Sequence, residues 1–161
     1  MRQFPKKKIL LRAGDVENYL SYIEKGLVRC YIPKVENELT FGFGFKGSFI
    51  SAYDSFLTQT PSSYVVETIT DSVLWRLTYH DLQMVYSESR IGNLIGRKAS
   101  EELFLIKSRR ELSLLNSSAE ERYLNLFDER PELIREIPLK YIASYIGVTP
   151  QALSRIRKRI S

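Results

Sequence analysis

The chain has 161 residues, 43% apolar and 12% aromatic, and a net charge of +5, enough for a packed core with a basic surface. No apolar run approaches the ~18 residues of a bilayer-spanning helix, and Met1 to Lys8 lacks the apolar stretch of a secretory signal, so a cytoplasmic protein without membrane partners is expected. One cysteine, Cys30, and one histidine, His80, exclude an internal disulfide, an iron–sulfur cluster and the usual zinc or haem ligand sets, so no cofactor is expected and both residues read as structural.

From Lys8 to Leu77, short β-rich runs are separated by turn signals at Gly14-Asp15, Lys25-Gly26, Glu36-Asn37 and Lys46-Gly47, a spacing of about 10 to 12 residues that suits a sandwich or barrel. Leu27–Ile32, Leu39–Phe45, Tyr64–Ile69 and Val73–Leu77 carry the β-branched and aromatic residues of its strands, and the reading is an antiparallel β-roll. Thr78-Tyr-His-Asp81 has the capping-box form and starts a helix through Leu82, Val85 and Tyr86. Glu67 and Asp71 read as solvated strand-end carboxylates.

A long helix is expected over Arg90–Leu115, with Ile91, Leu94/Ile95, Ala99, Leu103 and Ile106 on one stripe. Gly92 and Gly96 cost about 1 kcal/mol each in a helix, which close approach of another backbone would compensate. Periodicity alone leaves two covers open for the stripe: the chain's own β-roll, or a second copy in parallel. Asn116 to Glu121 breaks the pattern and offers another capping box, Ser118 with Glu121 or Ser117 with Glu120. Tyr123, Leu124 and Phe127 give the next helix an apolar face, Pro131 opens a short turn of helix, and Pro138 is expected at the first position of another.

Ile137 to Ser161 holds five basic residues, Lys140, Arg155, Arg157, Lys158 and Arg159, and no acidic one, whereas the preceding 136 residues balance 19 against 19. The excess charge therefore sits in one segment, where a polyanion would be gripped. Leu139, Ile142, Ala143 and Ile146 share one side of a first helix, and Leu153, Ile156 and Ile160 one side of a second. Gly147 suits the turn between them, Thr149 the cap and Pro150 the first position of the second helix. Two packed helices with such a turn form a helix-turn-helix. The opposite side of its second helix carries Gln151, Ser154, Arg155 and Lys158, flanked by Arg157 and Arg159. With Thr149 these are the candidate contacts to double-stranded DNA: Arg155 bidentate to guanine O6 and N7, Gln151 to an adenine edge, the flanking cations to phosphates.

Ile9-Leu-Leu-Arg-Ala-Gly-Asp15, Tyr22-Ile-Glu-Lys-Gly-Leu-Val28, Gly47-Ser-Phe-Ile50 and Ile142 through Ile156 resemble the Crp/Fnr family of bacterial transcription regulators over nearly the whole chain. The resemblance implies an α+β fold: a cyclic-nucleotide-binding-like β-roll (1–89), a connecting and dimerisation helix (90–115) and a helix-turn-helix domain (116–161). It implies a homodimer joined through Ile91, Ile95, Ala99, Leu103 and Ile106, and a palindromic operator with half-sites about one helical turn apart. Cyclic-AMP-binding relatives carry a Gly-Glu pair for the ribose and an Arg-Ser pair for the phosphate; those positions read Ser51-Ala52 and Ser62-Ser63 here, so only Ser63 survives. A phosphate desolvated without its arginine loses several kcal/mol, and no tight cyclic-AMP binding is expected. The effector-pocket candidates Ser51, Ala52, Ser62, Ser63 and Tyr64 are left with an unknown small molecule or none, and filling of the pocket by Tyr53, Phe56 and Tyr64 is the favoured expectation. Relatives also carry a helix before the first strand and a wing hairpin, for which this sequence has no counterpart; the DNA-binding unit is expected to be a compact helical bundle leaning on dimerisation for affinity.

The leading function is thus a sequence-specific regulator; the alternative is a small-ligand sensor that signals through protein contacts. No metal cluster, nucleophile–histidine set or phosphate loop supports an enzyme. Activation would need a surface for RNA polymerase, and no residue pattern marks one.

Overall fold

The structure, a computed structural model, describes residues 1–35 and 37–160. Period-two alternation is plain in β3 (Tyr19–Lys25), where Ser21 and Ile23 are buried while Tyr22 and Glu24 face out. β3 pairs antiparallel with β8 (Ser72–Thr78) and β6 (Phe49–Ile50), and β1 (Arg2–Phe4) extends the sheet beyond β8. The second sheet runs β2 (Ile9–Leu11), β7 (Val65–Thr68), β4 (Val28–Pro33), β5 (Glu38–Gly44), also antiparallel throughout. Leu11, Ile23, Val28, Cys30, Ala52, Val66 and Leu74 form the core of this roll, with Phe41, Ile50 and Tyr64 packed against it. Cys30 is thus a core residue, and His80 is exposed.

The turn signals fall between the strands as expected, with Glu36 of the third outside the described residues. Five elements go beyond the strands named from the sequence: β1, β2, β3, β6 and α1. β1 and β6 are very short, and α1 (Tyr53–Thr58) is a single turn or two without a side-chain cap. Glu67 is not a solvated strand end. Its Oε2 accepts from Arg29 Nε at 2.8 Å and Nη2 at 2.6 Å, while Arg29 Nη1 reaches Glu38 at 2.5 Å and the guanidinium lies 3.9 Å from the centre of the Tyr31 ring. Arg29 is only 2% exposed, and the two acids compensate its desolvation. Asp71 is exposed and accepts from the Lys6 N–H at 2.7 Å. On the outer face of the first sheet, Tyr22 meets Phe49 edge-on at 5.5 Å, and Trp75, 52% exposed, donates its indole N–H to Glu24.

Thr78 and Asp81 form the expected capping box at the start of α2 (Tyr79–Glu88), although only Leu82 of that helix is buried. α3 (Arg90–Asn116) follows. Gly92 is where close approach occurs: a Cβ there would lie 2.6 Å from the Val85 carbonyl oxygen. Of the stripe expected on α3, Ile91, Ile95, Ala99 and Ile106 are exposed and Leu103 is half-buried. Ser118 rather than Ser117 caps α4 (Ala119–Glu129), in a reciprocal box with Glu121. Its buried face is Tyr123 and Leu126; Leu124 and Phe127, expected inside, are 42% and 46% exposed. α5 (Pro131–Glu136) starts at its proline and buries Leu133, but Pro138 stands one place before α6 (Leu139–Ile146), as its cap. α7 (Pro150–Ile160) ends the described chain. By internal contacts residues 1–93 and 94–161 form two units. No helix among the described residues is long and apolar enough to cross a membrane.

Candidate nucleic-acid interface

The second unit is built around α6, whose Ile142, Ala143 and Ile146 are at most 1% exposed. Leu153 and Ile156 of α7 are buried with them, so the two apolar sides meet as the spacing required. Both outer ends depart from expectation: Leu139, the first residue of α6, is 45% exposed and Ile160, the last of α7, is 38% exposed. Tyr141 and Tyr145 are buried instead, adding a second face to α6 that helical spacing alone did not single out.

Gly147 makes the turn with φ +80°, a left-handed conformation that an L side chain adopts only with strain. The Val148 N–H donates to the Ala143 carbonyl at 2.9 Å and closes the end of α6. Thr149 Oγ1 then accepts from the Ala152 N–H at 3.2 Å, which fixes the first turn of α7. Two arginines reach the same turn from elsewhere. Arg110 of α3 donates through Nη2 to the Tyr145 carbonyl at 2.6 Å, and Arg122 of α4 through Nε to the Ile146 carbonyl at 2.9 Å. Sequence reasoning missed both. Arg110 sits in a mixed-charge run, Lys107 to Glu111, that reads as solvated surface, and its acceptor is a backbone carbonyl that no pattern marks.

With one side of α7 committed to α6, Thr149, Gln151, Ser154, Arg155, Arg157, Lys158 and Arg159 are all exposed. Arg159 is held by Glu120 at the start of α4, 2.6 Å away, so its charge is shared with an acid. Arg155, Arg157 and Lys158 stand on a helix whose own sequence carries no carboxylate, which suits phosphate contacts and base-edge donors.

In the first unit three of the five effector-pocket candidates, Ser51, Ala52 and Ser62, are hydrogen-bonded to residues 14–19, the loop after β2 and the start of β3. Ser51 Oγ donates to the Tyr19 carbonyl at 3.0 Å; Ala52 is fully buried, and its N–H points at Glu17 Oε2, 3.4 Å away. Ser62 is buried and turned onto its own chain, its hydroxyl donating to the Tyr64 carbonyl at 3.0 Å, while its backbone pairs with Gly14 and Asp15. Ser63 is exposed. The Tyr64 ring packs edge-on against Phe41 at 4.7 Å and its hydroxyl donates to Asp54; burial and then that bond push its pKa up. Phe56 is fully buried, stacked on Tyr53. Glu17 itself is 7% exposed, and burial raises its pKa against the N–H groups of Tyr19 and Ala52 that lower it. A cleft of about 510 Å³ lined by Leu10, Leu11, Gly14 to Tyr19 and Arg76 opens on this unit, and none of the five candidates lines it. Among the described residues no group of three or more His, Cys, Asp or Glu is placed to hold a metal ion.

The fold has clear relatives. The regulator CLP of Xanthomonas campestris, described as responsive to c-di-GMP, superimposes with a TM-score of 0.75 at 22% identity over 99% of this chain and 84% of its own. FixK2 of Bradyrhizobium japonicum gives 0.82 at 15% identity, over 99% and 82%. A CRP/FNR-family transcriptional regulator of Thermus thermophilus gives 0.76 at 18%, over 99% and 84%. At such identities the likeness is one of fold, α+β with an antiparallel roll followed by a long helix. No curated protein sequence matches the chain significantly. The family pattern described as the cyclic nucleotide-binding domain matches residues 1–89, more than half of the chain, which therefore belongs to the cyclic nucleotide-binding domain family.

Proposed function

We propose that the chain is a sequence-specific transcription regulator of the Crp/Fnr type, a cytoplasmic homodimer that reads a palindromic operator and does not respond to cyclic AMP. The observation that carries this reading is α7. One side of it is buried on α6 through Leu153 and Ile156, and the other presents Gln151, Ser154, Arg155 and Lys158 to solvent. A helix fixed in this way enters a major groove with its first turns at the base edges and its cations at the phosphates. Arg155 and Gln151 are the base-reading residues.

A second copy is the fitting cover for α3. Ile91, Leu94, Leu105, Leu112 and Leu115 are all exposed and fall on five of the eight a and d positions of one seven-residue repeat, with Lys98, Glu101 and Ser108 at the other three, so the apolar seam is strongest towards its two ends. This seam begins on the expected stripe, at Ile91, and continues along a neighbouring one. As for cyclic AMP, Ser62 stands where relatives bring an arginine, and its hydroxyl is already engaged with Tyr64. The serine brings no charge to offset the desolvation of a phosphate there. The resemblance to regulators and the lack of a nucleophile–histidine set favour a binding protein over an enzyme.

Selection of bound duplexes from a random pool tests the reading. Symmetric half-sites about one helical turn apart are expected, with affinity falling steeply as salt rises. Enrichment of no sequence, or retention indifferent to salt, overturns it.

A further inference from the structure

Arg110 lies near the end of α3, yet its guanidinium serves α6. Nη2 donates to the Tyr145 carbonyl at 2.6 Å, and the guanidinium carbon stands 3.7 Å from the centre of the Tyr145 ring. One residue on, Arg122 Nε donates to the Ile146 carbonyl, and Arg122 Nη1 donates to the Ser117 carbonyl in the link between α3 and α4. Both α6 acceptors belong to its last turn, where carbonyls lack helical partners and carry the negative end of the helix dipole. Gly147 and α7 follow directly. Along the backbone, α3 reaches α7 through four links, beginning at Ser117, Arg130, Ile137 and Gly147. Through Arg110 it reaches Tyr145, two residues before the last of them, in a single side chain. That side chain is planar, stacked on a ring and drawn out of water, with burial holding its pKa below the usual arginine range.

We propose that Arg110 is a positioning residue that sets the angle of α7 to α3, and so the spacing between the two half-sites that a dimer can occupy at once. The proposal rests on the reading that α7 enters DNA and that α3 joins two copies. In a two-fold dimer built on α3, the separation and tilt of the two recognition helices follow from how rigidly each α7 is tied to its own α3. A tie at Tyr145, in the last turn of α6 and two residues before Gly147, constrains that geometry more directly than the loops do. Lysine would supply charge but neither the stack nor the in-plane donor.

The test uses fluorescein-labelled duplexes carrying the palindrome that the wild-type protein selects, with the central spacer lengthened or shortened one base pair at a time, and a single half-site duplex. The wild type is expected to lose about 100-fold in affinity when the spacer changes enough to put one half-site out of reach. Arg110→Gln and Arg110→Lys are expected to keep less than about a tenth of that discrimination while binding the single half-site within about twofold of wild type. Variants that keep the wild-type spacing preference overturn the proposal alone. So does loss of half-site binding by both variants, which would make Arg110 a residue of general folding. A wild-type protein that selects no palindrome overturns the DNA-binding reading itself.

Discussion

Arg29 and Arg155 mark how differently the two units treat a cation. Arg29, 2% exposed on β4, is enclosed by Glu67, Glu38 and the Tyr31 ring, so its charge is cancelled inside the roll. Arg155, exposed on α7, has no acid on its own helix and faces water. The same contrast holds for neutral polar groups: Ser62 bonds back to its own chain, whereas Gln151 and Ser154 face solvent. A region that satisfies its polar groups internally gains a single rigid arrangement and offers little to a charged ligand. One that leaves them outward depends on a partner to use them.

The largest effect that would break this contrast is in the roll. Arg29→Ala leaves two carboxylates without their cation and is expected to cost about 3 to 5 kcal/mol in urea unfolding. A cost near zero would mean that the acids find water, and that the enclosure is nominal. On α7, Arg155→Ala is expected to lose about 1 to 3 kcal/mol on the selected operator with relaxed base preference, while Lys158→Ala weakens all duplexes alike and flattens the salt dependence. Equal losses on operator and random duplex for Arg155→Ala would reduce that residue to a phosphate contact.

Acid titration sharpens the comparison further. Burial holds the Glu17 carboxyl above the ordinary carboxylate range, so its protonated form favours the fold; that contribution is complete below the ordinary range and is lost as pH rises through the folded value. Asp81 and Glu121 have the opposite sign. Their hydrogen bonds to Thr78 and Ser118 pull them down, and the stability they lend is present above the ordinary range and lost as pH falls through the folded value. Glu17→Gln should therefore gain on wild type as pH rises from about 4 towards 7, measured by unfolding at each pH. A constant difference would place the carboxyl in a solvated setting. The smallest effect expected is none at all: calorimetric titration with cyclic AMP should release no heat of binding at micromolar concentrations, and a clear isotherm there would show that Ser62 and Ser63 can hold a phosphate unaided.

What could be read in advance was whatever depends on neighbours in the chain. Thr78 with Asp81, Ser118 with Glu121, and the Ala143, Gly147, Thr149 sequence around the turn are local chemistry, and the structure has each of them. Burial at the ends of amphipathic helices was less legible. Leu139 and Ile160 have the right period, but they stand at the ends of α6 and α7 farthest along the chain from the Gly147 turn, and the buried residues lie nearer to it. In α4, Leu126 rather than Leu124 and Phe127 is buried, a rotation of the apolar face that the short helix could not reveal by counting. Contacts made across long separations were not legible at all. Arg29 meets Glu67 across paired strands, the Glu17 carboxylate faces the Ala52 N–H, and Arg110 takes a carbonyl on another helix; each residue in isolation resembles any exposed charge.

Trp75 is the only tryptophan of the chain, and it lies half in water on the outer sheet of the roll with its indole N–H on Glu24. Its fluorescence is consequently a private reporter of the first unit. Loss of the roll will quench or shift that emission, and residues 94–161 hold tyrosines and phenylalanines alone as aromatic chromophores. An unlabelled sample thus contains an optical means of following one half of the protein while the other half is engaged.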